Sequence, residues 1–173
     1  MILFLDFDGV LHPDSAYLVK GRPTLKGEGA LFMWAPLLVK TLADFPEVQI
    51  VLSTSWAREL SFNRARRWLP EELRAGVVGS TWHSAMSFKR EGFRSLATWW
   101  DEATRYEQIK RYAGRAGLTD WVAIDDQPEG WGADNWASWC IPIATLGFQI
   151  LSYWHCWRHA WKVLERQHDA SFP

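Results

Sequence analysis

The chain has 173 residues, of which 48% are hydrophobic and 23% charged, so it is long enough for one domain with a full core. This composition excludes a disordered, collagen-like or low-complexity protein. The formal net charge of −1 provides no global basic field for nucleic acid. Two cysteines, Cys140 and Cys156, are too few for a disulfide framework and favour a reducing compartment.

The amino terminus, MILFLDFDGV, has no basic leader, and Asp6 interrupts its apolar run, so we expect no signal peptide. No stretch approaches the roughly 18 uninterrupted apolar residues of a membrane span. We therefore expect a cytoplasmic protein without membrane association and without an obligate protein partner. Thirteen tryptophans are expected mainly in the core, with a few available for stacking.

The first half of the chain alternates short apolar runs with helical patterns. Residues 2–5 predict a buried strand, and the Gly- and Pro-rich segment 12–29 predicts a small flap. Apolar spacing predicts a helix over 30–43, followed by a second strand at 48–52. A further helix follows and is expected to stop before Pro70.

The second half continues the alternation, although residues 83–103 give no clear pattern. Strands are predicted at 76–82, 121–124 and 140–145. The capping-box sequence Thr104-Arg105-Tyr106-Glu107 predicts a helix that ends near Gly117, and apolar residues between Ile150 and Leu164 predict a last helix. The pattern predicts an α/β fold: one Rossmann-like domain over residues 1–173. Its parallel sheet has about five strands, with helices on both faces.

Polar clusters follow three of the predicted strands directly. They are Asp6 with Asp8, Ser53-Thr54-Ser55, and Asp125 with Asp126. The carboxyl ends of parallel strands meet at one edge of a sheet, where open α/β sheets bind ligands. Four carboxylates there would repel one another unless a hard cation such as Mg²⁺ neutralised them. A hydroxyl group and Arg105 are then available as donors to phosphate oxygens.

Either carboxylate pair alone is weak evidence, because a turn or a helix cap also explains it, but the ordered combination is specific. Asp6-Phe7-Asp8-Gly9-Val10 resembles the first motif of the haloacid dehalogenase-like (HAD) hydrolases. The run IVLST resembles their second motif, Arg105 their third, and VAIDD their fourth. The stretches DFDGVLHP, STSW and AIDD look closest to a small capless branch whose relatives occur in RNA-repair proteins.

The resemblance implies a role for each matched residue. Asp6 would be the nucleophile that forms an aspartyl-phosphate, and Asp8 the general acid and then base. Thr54 and Arg105 would bind the phosphoryl oxygens. Mg²⁺ would be bound by Asp6, the backbone carbonyl of Asp8, and Asp125, with Asp126 as ligand or orienter.

Several assignments stay open at this point. Ser53 replaces Thr54 if the strand ends one residue earlier, and Lys110 is the alternative to Arg105. A second acid of the fourth motif is to be sought among Glu129, Asp134 and Asn135. His12 either lines the site or caps the flap, and Trp131 and Trp136 are candidates for stacking a base.

Family members often carry a cap domain, but neither gap between the motifs has room for one. An open site would accept bulky or polymeric phosphate esters. Lys20, Arg22 and Lys26 of the flap are candidate substrate-binding cations, or simply a solvated loop. We therefore expect a Mg²⁺-dependent phosphomonoesterase that acts on a nucleotide, a nucleic-acid end or another phosphate ester. The alternatives are a non-catalytic HAD-fold module that binds nucleic acid or protein, and phosphotransfer to an acceptor other than water.

Overall fold

The computed structural model describes residues 1–86, 99–132 and 138–140. The strands are β1 (Ile2–Leu5), β2 (Ala16–Val19), β3 (Arg22–Leu25), β4 (Gln49–Leu52), β5 (Val77–Ser80), β6 (Trp121–Ile124) and β7 (Trp139–Cys140). The helices are α1 (Ala35–Leu42), α2 (Ser55–Glu59), α3 (Phe62–Arg66), α4 (Glu71–Ala75), α5 (Trp99–Glu102) and α6 (Arg105–Ala116), with a 3₁₀ turn at Ser84–Met86.

Five strands form one parallel sheet in the order β5-β4-β1-β6-β7. The central strand β1 is apolar throughout, as expected for a strand covered on both faces. Leu3 and Leu5 pack into a core cluster with residues of α1 to α4. Phe4 points to the other face and packs with Ile109 and Ala113 of α6. The predicted α/β Rossmann-like fold, with about five strands and helices on both faces, is confirmed.

The predicted flap contains an antiparallel hairpin, in which β2 pairs with β3. Its two-residue turn, Lys20-Gly21, has φ angles of 51° and 76°. Two consecutive positive φ angles suit the twist of a tight hairpin, and glycine adopts them without strain. In the described ranges of the chain, no cap domain accompanies this hairpin.

Two predicted helices differ from the structure. The helix expected to run to Pro70 is divided into α2 and α3, because Ser61 has a φ of 84°, which a right-handed helix cannot accommodate. The helix expected from residue 30 begins at Ala35. Phe32 has a φ of 60°, and Pro36 favours the first helical turn, where its missing N–H costs no hydrogen bond.

Helix α6 begins and ends as its sequence predicts. The Thr104 hydroxyl accepts from the Glu107 N–H, and the Glu107 carboxylate accepts from the Thr104 N–H. Gly117 terminates the helix with a φ of 63°. This capping fixes Arg105 as the first helical residue.

The predicted strand 140–145 overlaps β7 at Cys140, and its remaining residues lie outside the described ranges, as does the predicted helix between Ile150 and Leu164. Among the described helices, none combines the length and the hydropathy needed to cross a bilayer.

Candidate active site

The sheet register brings three candidate site residues to one level. Strands β4 and β6 both pair in parallel with β1. One residue beyond these strands, the Asp6 N–H donates to the Ile124 carbonyl at 3.1 Å, and the Ser53 N–H donates to the Leu5 carbonyl at 2.8 Å. Asp6, Ser53 and Asp125 therefore leave the sheet side by side, as the sequence predicted for its polar strand ends.

Three carboxylates form a compact set at this edge. Asp6, Asp125 and Asp126 each place an oxygen within 4.8 Å of the others. Asp6 and Asp125 are buried, and within the described part of the chain Oδ1 of Asp6 and Oδ2 of Asp125 have no well-aligned hydrogen bond, only ion pairs with Arg105. Buried acceptors without donors are rare in folded proteins, and carboxylate oxygens are the ligands that Mg²⁺ prefers. The set therefore fits a hard divalent cation.

Burial raises the pKa of all three carboxyl groups. The pKa of Asp6 rises to about 6, mainly because its carboxylate is removed from water, and the nearby Arg105 guanidinium opposes the rise. For Asp125, burial and then the neighbouring Asp6 charge raise the pKa well above its usual value. For Asp126, burial and then the charge of Asp14 raise it. Protons and a metal ion therefore compete for the same oxygens.

Arg105 supplies the positive charge between two of these carboxylates. Its Nε lies 3.1 Å from Oδ2 of Asp125, and its Nη2 lies 3.7 Å from Oδ1 of Asp6. The Gln108 side chain accepts from Nη1 of Arg105 at 3.2 Å and donates to the Trp100 carbonyl at 2.8 Å. Sequence reasoning missed Gln108, although a polar residue three positions after Arg105 on the same helix face was a usable signal.

Lys110, the alternative to Arg105 as the phosphate-binding cation, lies away from the carboxylates. Lys110 is on the exposed face of α6, with Nζ 5.6 Å from the centre of the Tyr106 ring. Arg105, in contrast, is buried against the carboxylates.

The Asp8 carboxylate lies outside the three-aspartate set and has different partners. Its Oδ1 is 3.1 Å from Nε2 of His12, and its Oδ2 accepts from Nε1 of Trp56 at 2.9 Å. The His12 side chain is fully buried, whereas 21% of the Asp8 side chain is exposed. His12 thus contacts the site through Asp8 and is itself closed to solvent. Trp56 was missed, because nothing in the sequence relates a tryptophan 48 residues away to Asp8.

The two hydroxyl candidates differ in their partners. The Ser53 hydroxyl is buried and has no hydrogen-bond partner in the described ranges. The Thr54 hydroxyl accepts from the Trp56 N–H at 3.3 Å and so caps the start of α2. Strand β4 ends at Leu52, as the sequence predicted, so Thr54 lies two residues beyond the strand.

Gly9 allows the first and fourth motifs to approach each other closely. Its φ is 69°, and a Cβ atom at this position would overlap the carboxylate of Asp126. A side chain here would therefore be strained and would also displace a member of the carboxylate set.

A cleft of about 290 Å³ opens beside Asp8, between the hairpin and α2. It is lined by Asp8, Ala16, Tyr17, Leu18, Pro23, Ser55, Trp56, Glu59 and Leu60. The predicted flap cations Lys20 and Arg22 are exposed at the hairpin turn and are not among these residues. The Lys26 ammonium lies 4.3 Å from the centre of the Tyr17 ring.

Of the candidates predicted in the segment after Asp126, some lie in the described ranges and others lie outside them. Trp131 is buried and stacks on Trp139, with ring centres 5.4 Å apart, so its predicted availability to a base is wrong. Glu129 is exposed and does not belong to the carboxylate set. The other candidates of this loop, Asp134, Asn135 and Trp136, lie outside the described residues.

Comparison with known proteins identifies the family. No curated protein and no solved structure matches the chain. A family model, the HAD domain in Swiss Army Knife RNA repair proteins, matches residues 2–149. This range includes all four predicted motifs, and the match confirms the resemblance drawn from them. The chain belongs to this family of HAD domains.

Proposed function

We propose that the protein is a Mg²⁺-dependent phosphomonoesterase that acts through an aspartyl-phosphate. One observation carries the proposal: Arg105 is buried between Asp6 and Asp125, at the edge where three carboxylates converge. A structural ion pair would need one carboxylate for one guanidinium. A divalent cation that joins the site would neutralise the surplus of buried negative charge, and Arg105 could then donate to a phosphoryl group.

In the first step, an Asp6 oxygen attacks phosphorus while the bond from phosphorus to the leaving oxygen breaks. Asp8 donates a proton to that oxygen, which departs as an alcohol. In the second step, Asp8 removes a proton from water, and the water oxygen attacks phosphorus. The bond to Asp6 then breaks and releases inorganic phosphate.

The surrounding groups act electrostatically. Asp6, Asp125 and Asp126 would hold Mg²⁺, which would supply the positive charge that neutralises these carboxylates and the phosphoryl oxygens. Arg105 donates to the phosphoryl group, held in place by Gln108. We assign the second donor to the Ser53 hydroxyl, which has no hydrogen-bond partner among the described residues, rather than to Thr54, whose oxygen caps α2.

The substrate we propose is a terminal phosphate on a nucleic acid, with a nucleotide as the smaller alternative. The cleft beside Asp8 gives a leaving group a place to lie, and Lys20 and Arg22 form an exposed cationic rim on the hairpin. The family to which the chain belongs is described by its occurrence in RNA repair proteins, which agrees with such a substrate. We expect the protein to act in the cytoplasm.

The test is hydrolysis of an aryl phosphate with Mg²⁺ and with a chelator. We expect turnover with Mg²⁺, none with chelator, and none for Asp6→Asn, which retains the size of the side chain. Beryllofluoride, a mimic of the acyl phosphate, should bind the wild type but not Asp6→Asn. If the wild type turns over no phosphate ester with Mg²⁺ but binds an oligonucleotide, the chain is instead a binding module.

A further inference from the structure

We propose that His12 and Trp56 are positioning residues that hold the Asp8 carboxylate in the orientation from which it protonates the leaving oxygen. This inference rests on the proposed function, in which Asp8 is the general acid. It adds the groups that aim this acid and a measurable consequence for substrates with different leaving groups.

The two carboxylate oxygens of Asp8 are held separately. His12 contacts Oδ1 at 3.1 Å and Trp56 donates to Oδ2 at 2.9 Å. Two contacts on different oxygens fix the rotation of the carboxylate plane, which a single contact would leave free. A carboxyl group offers about four lone-pair sites, so both oxygens keep capacity for a proton or a leaving group.

Both partners are themselves immobilised by aromatic packing. The Trp56 ring has edge-on contacts with Phe7, Phe32 and Trp68, with ring centres 5.6, 5.5 and 5.9 Å apart. The His12 ring lies 5.0 Å from Phe32 and 5.5 Å from Trp56, centre to centre. Aromatic rings packed in this way keep their rotamers, so the two groups that contact Asp8 are presented in fixed directions.

The held carboxylate faces the side on which a leaving group would lie. Asp8 and Trp56 both line the cleft between the hairpin and α2. The Asp8 side chain is 21% exposed, whereas Asp6 and Asp125 are buried. Trp56 also lies only two residues after Thr54, the second of the two hydroxyl candidates. The segment that begins α2 therefore positions both the hydroxyl donor to the phosphoryl group and, through Trp56, the Asp8 acid.

General acid catalysis matters most when the leaving group is a poor one. An alkoxide needs the proton, whereas a nitrophenolate departs without it. We therefore expect Trp56→Phe, which keeps an aromatic ring but removes the N–H donor, to lower kcat/KM for an alkyl phosphate by roughly 10- to 100-fold. The kcat/KM for 4-nitrophenyl phosphate should fall by no more than about threefold, since its leaving group needs little proton transfer. The comparison uses kcat/KM because this ratio reports the first step, whereas Asp8 is the base of the second step for both substrates.

Two variants of His12 test the other contact with Asp8, one that removes it and one that partly restores it. His12→Phe should show the same selective loss, whereas His12→Gln places an amide donor near the original Nε2 and should restore part of the alkyl phosphate rate. Trp68→Phe is the matched control, since Trp68 packs against Trp56 but has no hydrogen bond to Asp8. It should leave the ratio of the two rates unchanged. Circular dichroism and Tm identify any variant that fails to fold.

Equal losses of kcat/KM on both substrates, or no difference between His12→Gln and His12→Phe, would overturn the inference and leave the two residues with a packing role. A wild-type protein that hydrolyses neither ester would contradict the proposed function itself. The two failures are therefore distinguished by the wild-type rate on 4-nitrophenyl phosphate.

Discussion

The Nε atom of Arg105 lies 3.1 Å from Oδ2 of Asp125, and both side chains are buried. The same guanidinium reaches Asp6 with Nη2, at 3.7 Å. One cation therefore serves two carboxylates that belong to different strands. Because the capping box fixes Arg105 at the first residue of α6, the start of that helix and the end of two strands form a single electrostatic unit.

Removing the Arg105 guanidinium should lower catalytic efficiency far more than removing the nearby Lys110 ammonium. We expect Arg105→Ala to lower kcat/KM for a phosphate ester by roughly 100-fold or more, the usual cost of losing a charge-stabilising donor. Gln108→Ala should cost roughly 10-fold through a less well held guanidinium. Lys110→Ala, on the exposed face of the same helix, is the matched control, with unchanged rates expected. Steady-state kinetics measure kcat/KM for each variant. A larger loss of kcat/KM in Lys110→Ala than in Arg105→Ala would assign the phosphoryl contact to Lys110 instead.

The raised carboxyl pKa values predict how stability depends on pH. A carboxyl group with a higher pKa in the folded state than in the unfolded state binds its proton more tightly when folded. Its contribution is present at low pH and is lost as pH rises through the folded pKa. For Asp6 the loss falls between its ordinary pKa of 3.8 and about 6, and the raised pKa of Asp125 acts in the same direction.

We therefore expect the Tm of the metal-free protein to fall between about pH 4 and 6, and Mg²⁺ to raise Tm more at pH 7 than at pH 5. Asp125→Asn should reduce both effects, because it removes one of the crowded charges. Asp120→Asn alters an exposed aspartate just before β6 and should behave as wild type. Thermal scans with Mg²⁺ and with chelator measure this. A Mg²⁺ effect that is the same in Asp125→Asn would exclude the metal site.

Gly9 offers a test of the contact between the first and fourth motifs. In Gly9→Ala the new methyl group would displace the Asp126 carboxylate, so Mg²⁺ affinity should fall by at least about tenfold, as expected when a ligand is misplaced. Gly21→Ala is the matched control. Gly21 also has a positive φ, 76°, but a Cβ atom there meets no neighbour. Gly21→Ala should lower Tm but leave the affinity for Mg²⁺ unchanged. Equal Mg²⁺ affinities in the two variants would argue against the contact between Gly9 and Asp126.

The site residues that could be predicted from the sequence are those whose positions depend on short stretches of the chain. Apolar runs followed by carboxylates located Asp6 and Asp125, because parallel strands end at one edge whatever the details of packing. The capping box located Arg105 because it is a contact within four residues. By contrast, the pairing of Trp56 with Asp8 depends on where α2 lies, and the break at Ser61 that shortens α2 has no glycine or proline to signal it. The core position of Trp131 depends likewise on its tertiary partner, Trp139.

The last prediction concerns the size of the substrate. The exposed hairpin carries Lys20 and Arg22 at its turn, beside a cleft that Asp8 lines, and Lys26 follows β3. An oligonucleotide with a terminal phosphate can place further phosphates near these cations, whereas a mononucleotide cannot. We therefore expect the oligonucleotide to be processed at least as well as the mononucleotide, with a preference that weakens as salt is added. Exposed charges are screened over about 10 Å at 0.1 M salt.

Replacing Lys20, Arg22 and Lys26 together by Ala should raise KM for the oligonucleotide more than for a small phosphate ester, with kcat little changed. Arg115→Ala is the control, because this exposed cation lies in the last turn of α6, at the opposite end of the helix from Arg105. Rates measured side by side at two salt concentrations decide the matter. If mononucleotides or small esters are clearly preferred at both concentrations, the hairpin does not bind a polymer, and the site is that of a small-molecule phosphatase.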